Sequence, residues 1–211
     1  MSTKPYKGMG MEGAVAKWYA GLTRKSLEDF KALARRTAEQ IPPRSRVLEV
    51  APGPGYFAIE LAKLGDYRIT GLDISETFVD IARANAAAAN VRVDFRQGNA
   101  SAMRFPDSRF DFILCRAAFK NFSQPDEALA EMHRVLKPGG RALVVDMQPH
   151  DRESYRQQMG HVWLGFSDDH LRRLFNEAGF EEINIVALPP DARSKGPALF
   201  VATAKRPEAS R

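Results

Sequence analysis

The segment Val47-Leu48-Glu49-Val50-Ala51-Pro52-Gly53-Pro54-Gly55-Tyr56-Phe57 holds the residues best placed to do chemistry: an apolar run passes through a glycine-containing turn into a helix-period stretch. That order sets backbone N–H groups and a helix N-terminus beside whatever binds at the carboxyl end of a sheet. Glycine is needed there where the backbone takes positive φ or approaches a ligand without a Cβ in the way. Asp73 closes the next apolar run, Ile69-Thr70-Gly71-Leu72, 18 positions after Gly55. This is close to the roughly 20 residues at which an acidic side chain meets a ribose, where one carboxylate accepts both hydroxyl protons. Two plainer readings stay open: an ordinary tight turn for the loop, and an N-cap role for Asp73, although Ser75 already suits that position. Pro52 and Pro54 have no N–H to give, so the loop is poorly equipped for a pyrophosphate and suits an uncharged linkage better.

These residues require a sheet that presents its carboxyl ends to one side. From Arg46 onward, short β-branched and apolar runs alternate with helix-period segments, the pattern of parallel βαβ units. Strands are predicted at 46–50, 67–72, 91–95, 110–114, 141–146, 181–187 and 198–204. Ser167, Asp168 and Asp169 predict a helix start, with Leu171, Leu174, Phe175 and Ala178 on one face before Gly179. Ser123 and Asp126 have capping-box spacing ahead of Leu129, Met132 and Leu136, and Pro138-Gly139-Gly140 is expected to end that helix. Upstream, Val15, Trp18, Tyr19 and Leu22 fall at helical spacing, and a second helix from Ser26 to about Gln40 presents Leu27, Phe30, Leu33 and Ala34 before Pro42-Pro43. These two helices either cover a sheet face or form a lid. The stretch 150–166, rich in His, Tyr, Trp and Gln, reads as an insertion. The expected fold is α/β: a seven-stranded, mostly parallel sheet with helices on both faces over residues 46–204, an N-terminal helical cap over 1–45, and a flexible tail over 205–211.

Length and composition agree with that expectation. A chain of 211 residues, 44% hydrophobic and 27% charged, suffices for one domain with a continuous core and argues against a disordered or membrane-embedded class. No run approaches the roughly 18 apolar residues that span a bilayer, and the start MSTKPYKGMGMEG lacks the apolar stretch of a secretory signal, so a cytoplasmic protein is expected. The single Cys115 allows no internal disulfide and has no thiol partner for a zinc site, and no metal is expected. The net charge of +5 is small and scattered, partly over Lys4, Lys7, Lys205, Arg206 and Arg211 in the expected tails, where solubility accounts for it, which disfavours nucleic acid as a partner.

Five motifs in one order then resemble those of the class I, Rossmann-like S-adenosylmethionine-dependent methyltransferases: Glu49-Val-Ala-Pro-Gly-Pro-Gly55, Gly71-Leu-Asp73-Ile-Ser, Gly98-Asn99-Ala100 before Phe105-Pro106, Phe110-Asp111-Phe112-Ile113, and Arg134-Val-Leu-Lys-Pro-Gly-Gly140. The match covers roughly 46–147, and the helix after Phe166 is similar to that of small-molecule members acting on quinone precursors and arsenicals. The resemblance implies S-adenosylmethionine as cofactor, S-adenosylhomocysteine as product and a small-molecule acceptor. It implies that Glu49 holds the methionyl amino group, that Ala51, Gly53 and Gly55 carry the loop past the cofactor, and that Asp73 binds the ribose with Ile74 on the adenine. Asn99 would offer its amide near adenine N6, Ala100 a backbone N–H, and Cys115 would line the floor. Tyr19 resembles a tyrosine sent to the methionyl carboxylate, with a core aromatic beside Trp18 as the alternative.

This chain departs from the pattern at three places. Ala51 stands where a glycine is usual and is expected to take a conformation that a Cβ tolerates, re-routing the loop slightly. Asn99 stands where an Asp commonly reads the adenine amino group, and it can still accept through its carbonyl oxygen. Asn121 stands where a histidine often faces the substrate. Substrate-pocket candidates are Arg116, Lys120, Asn121, Asp146, Tyr155 and Trp163, with His150 and His161 as the remaining base candidates; no pair has diagnostic spacing, and a surface role for each histidine stays open. A monomer or homodimer is expected. Two alternatives remain: an RNA-modifying methyltransferase, and a non-catalytic S-adenosylmethionine-binding regulatory protein with a blocked acceptor pocket. One cysteine makes an arsenic acceptor improbable.

Overall fold

The computed structural model describes residues 12–189 and 196–209. Strands β1 (Arg46–Val50), β2 (Arg68–Asp73), β3 (Asp94–Gln97), β4 (Phe110–Arg116), β5 (Leu136–Met147), β6 (Glu181–Ala187) and β7 (Leu199–Lys205) form one sheet ordered β3-β2-β1-β4-β5-β7-β6. The pairs from β3 through β5 are parallel, and β7 lies antiparallel between β5 and β6, so β7 alone is reversed. The helices are α1 (Gly13–Thr23), α2 (Leu27–Ala38), α3 (Tyr56–Ala62), α4 (Glu76–Ala88), α5 (Pro125–Val135), α6 (Ser154–Met159) and α7 (Asp168–Glu177).

Alternation along the strands divides the core in two. Val47, Phe112 and Leu114 point to one face, where they pack with Phe57 and Leu61 of α3, Val79 and Ala82 of α4 and Ala34 of α2. Leu48, Val50, Ile113 and Cys115 point to the other, against Leu129 and Met132 of α5 and Leu171 and Phe175 of α7. A period of two in the strands thus feeds two helical layers.

Several predicted boundaries move for local reasons. β3 starts at Asp94 because the Val91 N–H is used to close the end of α4, donating to Ala86 O at 3.1 Å. Ser75 and Ser167 cap α4 and α7 as expected, accepting from the N–H groups of Phe78 and His170. Ser123 does not cap α5: Pro125 opens that helix, and its fixed φ makes a side-chain cap unnecessary. Nor does Pro138-Gly139-Gly140 end α5, which stops at Val135; those residues lie within β5, where the register with β4 shifts and Gly139 takes φ 77°.

The expected tail also needs correction. Lys205 belongs to β7, and Arg206 donates from its guanidinium to the carbonyls of His133 (3.1 Å), Arg134 (2.9 Å) and Leu136, while its backbone N–H reaches Gly140 O at 2.8 Å. A cation on the last carbonyls of a helix offsets both their unmet hydrogen bonds and the helix dipole. Arg206→Ala is therefore expected to lower stability by about 2–3 kcal/mol, read as a fall in the urea midpoint at unchanged denaturant slope. Lys4, Lys7 and Arg211 lie outside the described residues.

The N-terminal helices pack on the sheet's helical layer rather than standing apart. α2 lies against α3 and α1 against α4, where the Glu12 carboxylate accepts from the N–H groups of Glu76 and Thr77 at the start of α4. Their inner face carries Tyr19, Thr23 and Phe30 into the cavity described next.

Candidate functional site

Where β1 ends, the chain turns three times through the left-handed region: Ala51 has φ 55°, Gly53 φ 53° and Gly55 φ 78°. Ala51 itself lies in the left-handed region that favours glycine, contrary to the expectation of a conformation that a Cβ tolerates. It is held there by its own N–H, which donates to Leu72 O at 2.8 Å. A left-handed L-residue costs roughly 1–2 kcal/mol, partly offset in a glycine variant by extra chain entropy. Ala51→Gly is expected to raise the unfolding free energy by about 0.5–1 kcal/mol, visible in a thermal melt. Gly55, as the residue before α3, serves packing: a Cβ there would sit 2.6 Å from the Phe95 ring. It is not among the residues that line the cavity.

The two acidic residues end adjacent strands. Asp73 is 6% exposed and fixes the loop by accepting from the N–H of Gly53 (Oδ2, 2.9 Å) and of Ser75 (Oδ1, 3.0 Å). Burial raises its pKa, and those two backbone donors oppose the rise. Glu49, 3% exposed, accepts at Oε2 from the Ala58 N–H of α3 at 3.1 Å. Burial pushes its carboxyl up to about 8; the Ala58 N–H and the Arg116 charge act in the other direction. Glu49 has no ion pair among the described residues.

Both carboxylates face one continuous cavity of about 390 Å³ that runs from Asp73, Ile74, Asn99 and Ala100 past Glu49 and Tyr19 to His161 and Val162. Tyr19 lines this cavity with its ring edge against Phe78, centroids 6.0 Å apart, whereas Trp18 is 60% exposed. Ile74 is 70% exposed and offers its apolar surface to the cavity mouth. Asn99 accepts at Oδ1 from the Ser101 N–H at 2.9 Å, so its carbonyl is partly used and its amide is the free end.

At the far end, Arg116 lies over the Phe30 ring at 4.3 Å and burial lowers its pKa. Lys120 forms a buried ion pair with Asp146 at 3.4 Å and donates to Ala117 O, while Asp146 Oδ2 accepts the Lys120 N–H at 3.0 Å. Ala117, beside them, is another left-handed alanine, φ 56°. Asn121 lines the cavity, as does His161, which is 2% exposed, has a buried Nδ1 without a hydrogen-bond partner, and is driven down to about 3 by burial and the Lys120 charge.

Besides Gly55, five sequence candidates do not line the cavity, the first being Asp146, which is held by Lys120. Cys115 is fully buried in the core, its thiol pushed up by burial; its parity on β4 sends it inward beside Leu129 and Met132. Trp163 donates from Nε1 to Phe122 O at 2.9 Å and packs on Phe166. Tyr155 is wedged between His150 and His161, with ring centroids 5.4 and 5.3 Å away, and accepts from Arg152. His150 accepts at Nδ1 from the Arg152 N–H, away from the cavity. Sequence reasoning missed Thr23, Phe30, Phe78, Phe122, Met147 and Val162 as lining residues. Phe30 was legible only as a core position of α2, because helical spacing says which face is apolar and not what that face meets.

Residues 47–140 match the family described as a methyltransferase domain. Demethylmenaquinone methyltransferase of Deinococcus radiodurans is 41% identical over 105 residues, 49% of this chain and 44% of that protein. The ubiquinone/menaquinone biosynthesis C-methyltransferase of Pasteurella multocida is 28% identical over 169 residues, 66% of this chain and 63% of its own. The chain thus spans between about two fifths and two thirds of these relatives. In fold it is similar to Haemonchus contortus phosphoethanolamine N-methyltransferase 2, with a TM-score of 0.73 at 16% identity over 85% of this chain and 53% of that one. The parallel sheet with its reversed β7 and the paired strand-end carboxylates define a Rossmann-like α/β protein. The family match and the fold together support a class I S-adenosylmethionine-dependent methyltransferase over residues 47–140.

Proposed function

We propose that this protein binds S-adenosylmethionine along the carboxyl ends of β1 and β2 and transfers its methyl group to a small-molecule acceptor, releasing S-adenosylhomocysteine. The observation that carries this reading is the pair of carboxylates, Glu49 and Asp73, buried on one cavity at the ends of adjacent strands. A carboxyl raised to about 8 by burial, with no ion pair among the described residues, gains most from a ligand that brings a fixed cation. The amino group of the methionyl part is such a cation, and the ribose hydroxyls suit the remaining lone pairs of Asp73. The residues present therefore fit the cofactor: Glu49 for the amino group, Tyr19 for the methionyl carboxylate, the Ala51–Gly53 backbone along the chain, Asp73 for the ribose, and Ile74, Asn99 and Ala100 for the adenine. Gly55 and Cys115 shape the site from behind. The neighbour from Haemonchus contortus was solved with S-adenosyl-L-methionine, which supports the same assignment.

The cofactor supplies a methyl on a sulfonium that is already a good electrophile, so the protein's task is to orient the acceptor and exclude water. Phe30, Phe122, Met147 and Val162 give the acceptor end an apolar wall, and Arg116 and His161 give it polar points. With a pKa near 3, His161 is a neutral hydrogen-bonding group and a weak base, so it holds an acceptor hydroxyl or carbonyl rather than removing its proton. A flat, substituted aromatic suits this lining, in keeping with the demethylmenaquinone named for the Deinococcus relative. The continuity of the cavity from Asp73 to Val162 favours a catalytic protein over a regulatory one with a blocked acceptor pocket. A cytoplasmic monomer or homodimer completes the reading; no helix among the described residues is long and apolar enough to cross a membrane.

Calorimetric titration with S-adenosylmethionine and S-adenosylhomocysteine tests the first half, with micromolar binding expected for both. Transfer of labelled methyl into a panel of phenols, amines, thiols and transfer RNA tests the second. Absence of binding by either nucleoside overturns the proposal, and label entering only the RNA replaces the acceptor.

A further inference from the structure

The edge of the sheet opposite the cavity, where the strands begin, carries a row of arginines. Arg46 opens β1 and stands in register with Arg68, which opens β2. The β2–β3 register sets Thr70 opposite Asp94, so Arg92 falls in line two residues earlier, and Arg109 immediately precedes β4. In sheet order Arg92, Arg68 and Arg46 stand level on strands about 4.8 Å apart and so span about 10 Å; on β4 Asp111 is level with Arg46 and accepts its backbone N–H at 2.8 Å, and Arg109 lies two residues further back.

None of these four has a side-chain ion pair among the described residues, and the nearby acids are engaged elsewhere, Asp66 with Arg44, Asp94 with Arg96 and Asp111 with Lys137. Arg109 lies against the rings of Phe105 and Phe110 and leaves its buried Nε without a partner. With Arg83 of α4, the row lines a cleft of about 780 Å³. Like charges on facing positions of neighbouring strands oppose sheet formation, and here they are concentrated where the sequence alone showed only a scattered excess.

We propose that this cleft is a second binding site, for a compact oligophosphate such as the triphosphate group of a nucleotide or inorganic tripolyphosphate. Guanidinium groups bind phosphate oxygens in pairs, and several within a few strand spacings suit phosphates linked directly to one another. The cleft is of nucleotide size, and a level row of about 10 Å matches a few directly linked phosphates better than an extended nucleic-acid backbone. This site is independent of the methyl-donor site, which lies at the other ends of the same strands.

The test is titration of the full chain with inorganic tripolyphosphate at about 50 mM salt, by calorimetry and by thermal unfolding. Saturable binding that weakens with added salt is expected, with at least a tenfold loss in Arg68→Gln/Arg92→Gln and unchanged S-adenosylmethionine affinity in the same variant. Relief of repulsion should also leave that variant, without ligand, at least as heat-stable as the parent chain. No saturable binding at millimolar tripolyphosphate, equal binding by the double variant, or tighter binding of a single-stranded RNA through the same arginines would overturn the proposal.

Discussion

Glu49→Gln is expected to make the protein more stable and worse at binding S-adenosylmethionine, with the first effect growing as the pH rises. In the folded chain the Glu49 carboxyl is raised by burial to about 8, against an ordinary value of 4.5. Between those values the folded state holds a proton that the unfolded state has released, so the parent chain loses stability as pH climbs through this window. Below pH 4.5 both states carry the proton and the stabilising contribution is fully present; above 8 it is gone. Glutamine has nothing to titrate and still accepts the Ala58 N–H, so its advantage over glutamate should grow from near zero at pH 4.5 to on the order of 3–5 kcal/mol at pH 9. Denaturant unfolding across that range reads it directly. The same neutral side chain cannot match an ammonium, and affinity should fall by about 2–3 kcal/mol. In the parent chain, binding below pH 8 should expel one proton, so the calorimetric enthalpy should vary with the ionisation heat of the buffer. An enthalpy indifferent to buffer would remove Glu49 from the proposed role.

For Asp73, both Ala and Asn should be severe. Asp73→Ala should weaken S-adenosylmethionine by about 1.5–3 kcal/mol through lost charge-assisted hydrogen bonds. Asn is no gentle substitute, because the native side chain accepts from Gly53 N–H on one oxygen and from Ser75 N–H on the other. An amide must turn its NH₂ toward one of these donors, leaving a buried N–H unmet at a cost of about 1–3 kcal/mol in stability. A cycle with the 2′-deoxy analogue separates the ribose contact from loop damage. The parent chain should discriminate against the analogue, and Asp73→Ala should not; equal discrimination by both would exclude the ribose contact.

Much of the cavity end proposed to hold the methyl donor is legible in the sequence because strand parity and loop composition act locally. Asp73 had to end a strand, and Ser75 was available to cap the helix, so the carboxylate was free for another task. Ala51 was misjudged because residue type is a weak guide where the backbone is pinned from both sides, here by Leu72 O and by the Gly53 anchor on Asp73. Cys115 packs in the core rather than on the cavity: with a period of two, its neighbours Leu114 and Arg116 meet other surroundings, and only the register of β4 decides which. The acceptor half was the least legible. The segment 148–166 contains only the short α6 and otherwise follows no period, so His150, His161, Tyr155 and Trp163 are equivalent by spacing, while their orientations follow from the hydrogen bonds to Phe122 and Arg152 and from the Tyr155–His161 ring contact. The arginine row was invisible for the opposite reason, since its members lie far apart in the chain and only sheet order aligns them.

The reversed β7 sets the order of events while the chain is being made. Among the described residues β6 has no hydrogen-bonded neighbour except β7, and β5 keeps one side open until β7 arrives between them. A nascent chain that has released everything up to residue 198 therefore exposes both edges of β6 and one of β5 at once, an arrangement prone to sticking to other chains. Ribosomes stalled just short of that point should yield a chaperone-dependent intermediate, and emergence of the last strand should complete the domain in one cooperative step.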